Sequence, residues 1–446
     1  MTYDLIIIGS GPAGYVSAIR AGQTGLKTLV IDKKYVGGMC LNWGCIPTKA
    51  LIESAKTYRT VKTASAFGIT GIAPEELGFD WKQAVTRTQG VVSRLSKGIE
   101  FLWKKNGVDF LSAEASILSP TTVSANNQIF ETKAIAIATG SKPLPGPQGA
   151  IELEDLLQLE LLPSKPVIWG RGSVALELAQ MFDLLDRKPI IVTPKLPLVP
   201  QLDDHLNTWI ERKLKKDKIQ VLPESEVTYS NGKLIHQDKE LEQDGIINAG
   251  FRAATLPESK VTLELHNGFI KTDADLQTSV PGIYAIGDVN GRSYLAHAAS
   301  AQGLAMVDHL QGKEGGYSDA QIPINIYSKP EIAQVGQTER ELKASGQDYQ
   351  SQEFPLTANG KALAEGTAEG FIRLLFEPKY KQVLGVQIIA ENATDMIAEA
   401  GLMLELEGTI YDLAKTVHAH PTVSEIFMEA GAAGVAALAV APSPGC

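Results

Sequence analysis

One stretch near the start limits this chain more than any other. The apolar run Tyr3 to Ile8 leads into Gly9-Ser10-Gly11-Pro12-Ala13-Gly14, and a helix-compatible stretch follows to Gly22. A second apolar run, Thr28 to Ile31, ends in Asp32. Strand, glycine turn, helix, strand and terminal acid together form a complete dinucleotide-binding arrangement. Gly9 permits the tight turn, Gly11 admits a pyrophosphate close to the backbone, and Gly14 lets helix and strand pack closely. The helix N-terminus offers free N–H groups to phosphate. Asp32 is placed for ribose hydroxyls. Two weaker turns point the same way. Gly282 to Asp288 runs through a short apolar strand to Gly287-Asp288, and Ala138-Thr139-Gly140-Ser141 exposes backbone.

Length makes room for more than this unit. At roughly 150 residues per domain, 446 residues suggest about three. Proline punctuation at Pro143, Pro145 and Pro147 reads as a linker. A second strand–glycine–helix unit follows near residue 167. From Ile322 the pattern changes to short alternating strands, Phe371 to Phe376 and Val383 to Ile389. Helical stretches Ala393 to Glu407 and Thr422 to Ala430 come after them. The expected fold class is α/β with two Rossmann-like units and a C-terminal α+β domain. The expected division is 1–144 with 270–318, then 145–269, then 319–446. A formal net charge of −10 argues against a nucleic-acid partner. No apolar run reaches the ~18 residues of a membrane span, and the start reads as a buried strand rather than a leader. Three cysteines make no disulfide scaffold and no metal set, so the expectation is a reducing, cytoplasmic setting and no metal.

The cysteines carry the chemistry. Gly37-Gly38-Met39-Cys40-Leu41-Asn42-Trp43-Gly44-Cys45-Ile46-Pro47-Thr48-Lys49 holds two thiols five positions apart on a helical start. About one turn separates them, close enough for a reducible disulfide. A helix N-terminus favours thiolate. Gly44 leaves room for a flat cofactor. A second motif, His418-Ala419-His420-Pro421-Thr422-Val423-Ser424-Glu425, sets a carboxylate where it can orient His420 across a Pro-started turn. An imidazole held in this way can accept a thiol proton near neutral pH. The last residue, Cys446, reads as an incidental thiol on a frayed tail.

These segments resemble the pyridine nucleotide-disulfide oxidoreductases, in particular their lipoamide-oxidising members, over nearly the whole chain. The resemblance implies FAD, with Cys45 as the thiolate beside the flavin and Cys40 as the thiol that meets substrate. It implies Lys49 near the flavin, and FAD contacts from Asp32, Lys33, Gly38, Asp288, Leu295, Ala296 and His297. It implies a homodimer in which His420, oriented by Glu425, serves the partner's cysteines, and a lipoyl-bearing carrier protein as substrate.

The second glycine unit departs from the pattern. Val167-Ile168-Trp169 precedes Gly170-Arg171-Gly172, with Ala175 at the third glycine's place and Glu177 near the expected nicotinamide position. The next strand ends in Thr193-Pro194-Lys195 where an NAD ribose wants an acid. Gly250-Phe251-Arg252-Ala253-Ala254 fits the family pattern poorly. Three readings stay open. NAD binds with altered ribose contacts, NADP replaces it, or electrons leave for a protein carrier or another acceptor without a nicotinamide. Arg171 and Lys195 suit a 2′-phosphate, although no arginine pair stands there. A non-catalytic, FAD-containing assembly subunit is a further alternative, opposed by the complete cysteine pair and the His420/Glu425 motif.

Overall fold

The computed structural model describes residues 2–230, 232–313 and 317–440. Strand β1 (Thr2–Ile8) is buried along most of its length, because Leu5, Ile6 and Ile7 fill both faces of a parallel sheet. The turn after it delivers helix α1 (Pro12–Gln23), which begins at Pro12 as a first-turn proline should. β2 (Thr28–Asp32) returns parallel to β1, with Ile8 opposite Ile31. Gln128–Ile137 lies on the other side of β1, and Ile283–Ala285 pairs parallel to its end. The late strand thus joins the first unit after the whole second unit has been inserted. Helix Ala296–Leu310 then packs on α1 so closely that a Cβ on Gly303 would stand 2.8 Å from the Ala13 carbonyl oxygen.

The second unit repeats this plan. Pro166–Gly170 lies between Ile190–Thr193 and Gly245–Ala249, all parallel, with Gln220–Pro223 at the edge. A three-stranded antiparallel meander occupies Val227 to Leu241. The proline-punctuated stretch differs from a loose linker. Ser141–Pro143 pairs antiparallel with Arg252–Ala254, so the chain's outward and return paths between the two units are stitched together. Pro143 is tolerated because this ribbon is only two strands wide and leaves edge positions that need no N–H.

The C-terminal domain is a five-stranded antiparallel sheet, in the order Ile324–Ile326, Glu331–Gly336, Val383–Ala390, Phe371–Phe376, Gln350–Pro355. Helices Ala393–Glu405 and Glu425–Val440 accompany it. The last helix starts three residues later than the alternation implied and runs ten residues further, to Val440, because the small apolar run after Gly431 continues the helix. Residues 441–446, including Cys446, lie outside the described residues. Among the described residues no helix is long and apolar enough to cross a membrane.

Asp203 locks the second unit to the C-terminal sheet. It is fully buried, caps helix Asp204–Lys216 through the His205 amide at 2.9 Å, and accepts the Glu339 amide at 2.6 Å. Its own amide donates to Gln334 at 2.8 Å. Replacing the carboxylate strands two buried donors at once. Asp203→Ala should therefore lower stability by about 2–4 kcal/mol, read as a fall in urea midpoint with unchanged slope. An unaltered midpoint would show that Asp203 does not hold the two domains together.

Candidate active site

Gly9 adopts φ +109°, and a Cβ there would lie 2.3 Å from the Ala138 carbonyl oxygen. A Cβ on Gly14 would lie 2.0 Å from the Gly9 carbonyl oxygen. Both glycines are needed for backbone contact between neighbouring strands and helix. Gly11 is different: a Cβ there meets nothing within 4 Å on the sequence's own atoms. Its open space lies at the head of α1, which has no side-chain cap, so the amides of Ala13 and Gly14 stay available to an anion. Gly38, at φ +59°, packs against Gly11, where a Cβ would come within 2.7 Å of the Gly11 Cα. An open cradle at an uncapped helix N-terminus fits a pyrophosphate, and these residues fit FAD.

The other proposed FAD contacts spread around this cradle. Asp32 accepts from the Ser10 amide and hydroxyl at 2.7 and 2.8 Å and from the Lys34 amide at 2.9 Å. This fixes the carboxylate beside the turn and leaves it lone pairs for a hydroxyl. Lys33 points away into an exposed ion pair with Glu114 at 2.8 Å. Thr139 donates to the Thr255 carbonyl, and Gly140 takes φ +70° beside it. Gly287 at φ +76° opens the short turn that carries Asp288. Burial pushes the Asp288 carboxyl up, opposed by the Ser141 hydroxyl donating at 2.6 Å and by the charge of Arg252. Arg252, itself lowered chiefly by burial, donates to the Ser141 hydroxyl and carbonyl, both at 2.7 Å. The sequence reading named Asp288 but missed Ser141 and Arg252 as its partners. The signal was present in Gly140-Ser141 and in Arg252, which lies two residues past Gly250, but only the paired ribbon brings them together.

Helix Ala296–Leu310 starts after Leu295 with no side-chain cap, so its positive end too is left without a side-chain acceptor. His297 sits in its first turn, hydrogen-bonded to the Pro323 carbonyl at 2.7 Å, and burial holds the imidazole below its usual pKa.

The two cysteines are joined, with Cα atoms 4.6 Å apart. They do not share one helix. Cys40 lies in α2 (Gly38–Asn42) and Cys45 opens α3 (Cys45–Lys62), with the chain broken at Trp43-Gly44. The break follows from Gly44, whose Cβ would press on Met39 at 3.1 Å. Both cysteines are half-buried, and α3 too begins without a side-chain cap, which lowers the cost of a thiolate at Cys45. One turn along α3, Lys49 pairs with buried Glu177 of the second unit at 2.8 Å, and its ammonium stands 4.6 Å from the centre of the Tyr327 ring. The Tyr327 amide donates to the other Glu177 oxygen at 3.0 Å. This contact joins all three domains beside the disulfide, and Tyr327 was not foreseen.

In the second unit Gly170 takes φ +152° against the Ala249 carbonyl, as Gly9 does against Ala138. Gly172, at φ +89°, heads helix Ser173–Leu184 with open space and no side-chain cap. Ala175 is fully buried beneath it. The Gly250 amide is taken by Asn248 Oδ1 at 3.0 Å.

His420 and Glu425 come together, Nδ1 to Oε1, at 2.8 Å. The pair does not span a proline-started helix, because the helix begins at Glu425 itself. The Glu425 carboxyl is held below its usual range, first by the Thr422 amide and then by His420. The His420 side chain is 79% exposed. No hydrogen bond among the described residues links it to the cysteine segment of its own chain. His418, by contrast, is tucked in against Glu399 at 2.9 Å and serves the fold. Exposed Leu402, Leu406 and Val417 surround this end of the domain, an apolar surface of the kind a subunit interface covers. No cluster of His, Cys, Asp or Glu that could hold a metal occurs among the described residues.

Residues 3–303 match the pyridine nucleotide-disulphide oxidoreductase family and residues 322–431 its dimerisation domain. The dimerisation match supports a homodimer. The chain is 37% identical to dihydrolipoyl dehydrogenase of Bacillus subtilis, over 97% of this chain and 98% of the relative. It is equally 37% identical to dihydrolipoyl dehydrogenase of Mycoplasma genitalium, over 96% and 97%. Its fold is similar to that of LpdA from Mycobacterium tuberculosis, with TM-score 0.88 over 96% and 99% of the two chains at 21% identity. The chain belongs to the pyridine nucleotide-disulphide oxidoreductase family and is a flavin-dependent disulfide oxidoreductase, of a kind that uses FAD and NAD(H).

Proposed function

We propose that this enzyme oxidises dihydrolipoamide carried on a protein partner, working as a homodimer whose active site combines the Cys40–Cys45 disulfide of one subunit with His420 of the other. The observation that carries this reading is an exposed imidazole, oriented by a carboxylate but without a substrate-side partner in its own chain. A base held so firmly and facing outward fits a thiol delivered at a subunit boundary. The homodimer and the similarity to two dihydrolipoyl dehydrogenases support it.

The exchange proceeds as follows. One lipoyl thiol, having lost its proton to solvent, attacks Cys40 Sγ as the thiolate, and the Cys40–Cys45 bond breaks with its electron pair on Cys45. The uncapped start of α3 stabilises that thiolate. The second lipoyl thiol gives its proton to His420, attacks the mixed disulfide and leaves as lipoamide, while Cys40 departs with the electron pair. Glu425, anchored by the Thr422 amide, holds the His420 ring and offsets its positive charge. FAD, which Gly9, Gly11, Gly14, Asp32 and Asp288 would hold, would supply two-electron chemistry between the dithiol and a nicotinamide. Lys49 and Glu177 position the cysteine-bearing helix against the second unit. We infer that the enzyme serves a lipoyl-bearing carrier in the cytoplasm, where a reducible cysteine pair is kept for exchange rather than structure.

Cys45→Ser should abolish dihydrolipoamide oxidation while FAD remains bound. Turnover above a thousandth of the parent rate would refute the exchange. His420→Gln should lower kcat by about 10²–10⁴-fold, and Glu425→Gln by about tenfold or more, because only orientation and charge are lost. Mixed dimers offer a sharper check. Combining one Cys45→Ser subunit with one His420→Gln subunit should restore one working site per dimer. Failure of such mixtures to regain activity would remove the shared site from the account.

A further inference from the structure

The first unit provides an internal measure for the second. In both, the parallel register aligns the last strand pair before the glycine turn: Ile8 with Ile31, and Trp169 with Val192. One residue further on, Gly9 stands beside Asp32 and Gly170 beside Thr193. Thr193 therefore occupies in the second unit the place of Asp32, and Arg171 the place of Ser10. In the first unit these two positions are tied together, Ser10 donating twice to Asp32.

The second unit has exchanged both partners and reversed the charge. Thr193 is fully buried, and its hydroxyl is spent on the Lys195 carbonyl at 3.2 Å. It offers no carboxylate to accept from a ribose 2′-hydroxyl, and no anion to repel a phosphate. Among the described residues Arg171 makes one side-chain hydrogen bond, Nε to the Pro197 carbonyl at 3.0 Å, and neither terminal nitrogen of its guanidinium has a partner there. Lys195 is exposed on the same loop. Neither cation has a carboxylate partner among the described residues. Residues Pro194 to Val199 carry Lys195 over the turn, since the Gly172 amide donates to the Leu198 carbonyl at 2.8 Å. Two cations thus flank the end of the strand where an NAD-selective unit would set an acid, and a guanidinium there accommodates a 2′-phosphate.

We propose that this unit binds a nucleotide bearing a 2′-phosphate at least as tightly as one bearing a 2′-hydroxyl, so that the enzyme accepts NADP(H) alongside NAD(H), with Arg171 and Thr193 as the specificity-determining residues. This rests on the reading of the second unit as the nicotinamide site.

Two redox-inactive fragments isolate the ribose: ADP-ribose and 2′-phospho-ADP-ribose, titrated calorimetrically into the FAD-loaded dimer. The dissociation constant of the 2′-phosphate fragment should equal or fall below that of ADP-ribose, and it should weaken more steeply with salt. Arg171→Gln should weaken the 2′-phosphate fragment by roughly tenfold or more with little effect on ADP-ribose, as expected for one lost charge-assisted bond. Thr193→Glu should shift the ratio toward ADP-ribose by about tenfold or more, by the same arithmetic. Retained flavin content reports that each variant is folded. Tighter binding of ADP-ribose by the parent enzyme, or a ratio indifferent to both substitutions, overturns the inference and leaves the nicotinamide acceptor standing. If neither fragment binds to an enzyme whose flavin dihydrolipoamide still reduces, the inference and the nicotinamide acceptor fall together.

Discussion

Everything downstream depends on a backbone contact that no side chain survives. A Cβ on Gly14 would stand 2.0 Å from the Gly9 carbonyl oxygen, and one on Gly9 2.3 Å from that of Ala138. These approaches bring the head of α1 to the end of β1 and leave the space over Gly11 open. They also admit the helix Ala296–Leu310, which reaches α1 through Gly303 against the Ala13 carbonyl. A return strand from beyond residue 280 can then complete a sheet begun at residue 2. The second unit uses the same device at Gly170, against the Ala249 carbonyl.

Capping shows how helix ends are divided between fold and chemistry. Several helices that only build structure end their amides on side chains. Trp81–Lys105 uses Asp80, Asp204–Lys216 uses Asp203, Glu339–Ser345 uses Thr338, and Gly360–Glu365 uses Asn359. Ala393–Glu405 borrows Glu331, which accepts the Thr394 amide at 3.2 Å. Besides the short Gly38–Asn42 and Leu153–Leu156, four longer helices have no such cap: α1 after Gly11, α3 after Gly44, Ser173–Leu184 after Gly172 and Ala296–Leu310 after Leu295. Each begins at a segment assigned here to phosphate, thiolate or cofactor. An unsatisfied helix terminus costs stability unless water or a ligand meets it, so keeping four of them together makes sense where anions are to be held.

Much of this was legible in the residues. Gly9, Gly11, Gly14 and Asp32 announce a strand–turn–helix because local backbone needs, a positive φ at Gly9, close approach at Gly9 and Gly14 and open space over Gly11, select glycine there. Cys40, Cys45, His420 and Glu425 announce themselves because those residue types at those spacings have few structural uses. What stayed hidden was long-range. The Arg252–Ser141–Asp288 chain spans residues 141 to 288, and Lys49, Glu177 and Tyr327 come from three domains. Neither leaves a local pattern. Helix limits failed for a different reason: Pro421 suggests a helix start, whereas the helix begins at Glu425, whose carboxylate accepts from the Thr422 amide in the turn before it. The small residues after Gly431 carry weak amphipathic signal, so the length of that helix was underestimated.

Electrons that enter through the Cys40–Cys45 pair must leave two free thiols there, and thiol counting detects them. The FAD-loaded dimer is treated anaerobically with one equivalent of dihydrolipoamide per subunit, quenched with an alkylating agent and mapped by peptide mass. The account predicts that both cysteines, unreactive beforehand, become alkylated, Cys40 faster than Cys45 because Cys40 is the sulfur that meets substrate. Formation of lipoamide with both cysteines still resistant to alkylation would contradict it, because the electrons would then have bypassed the disulfide.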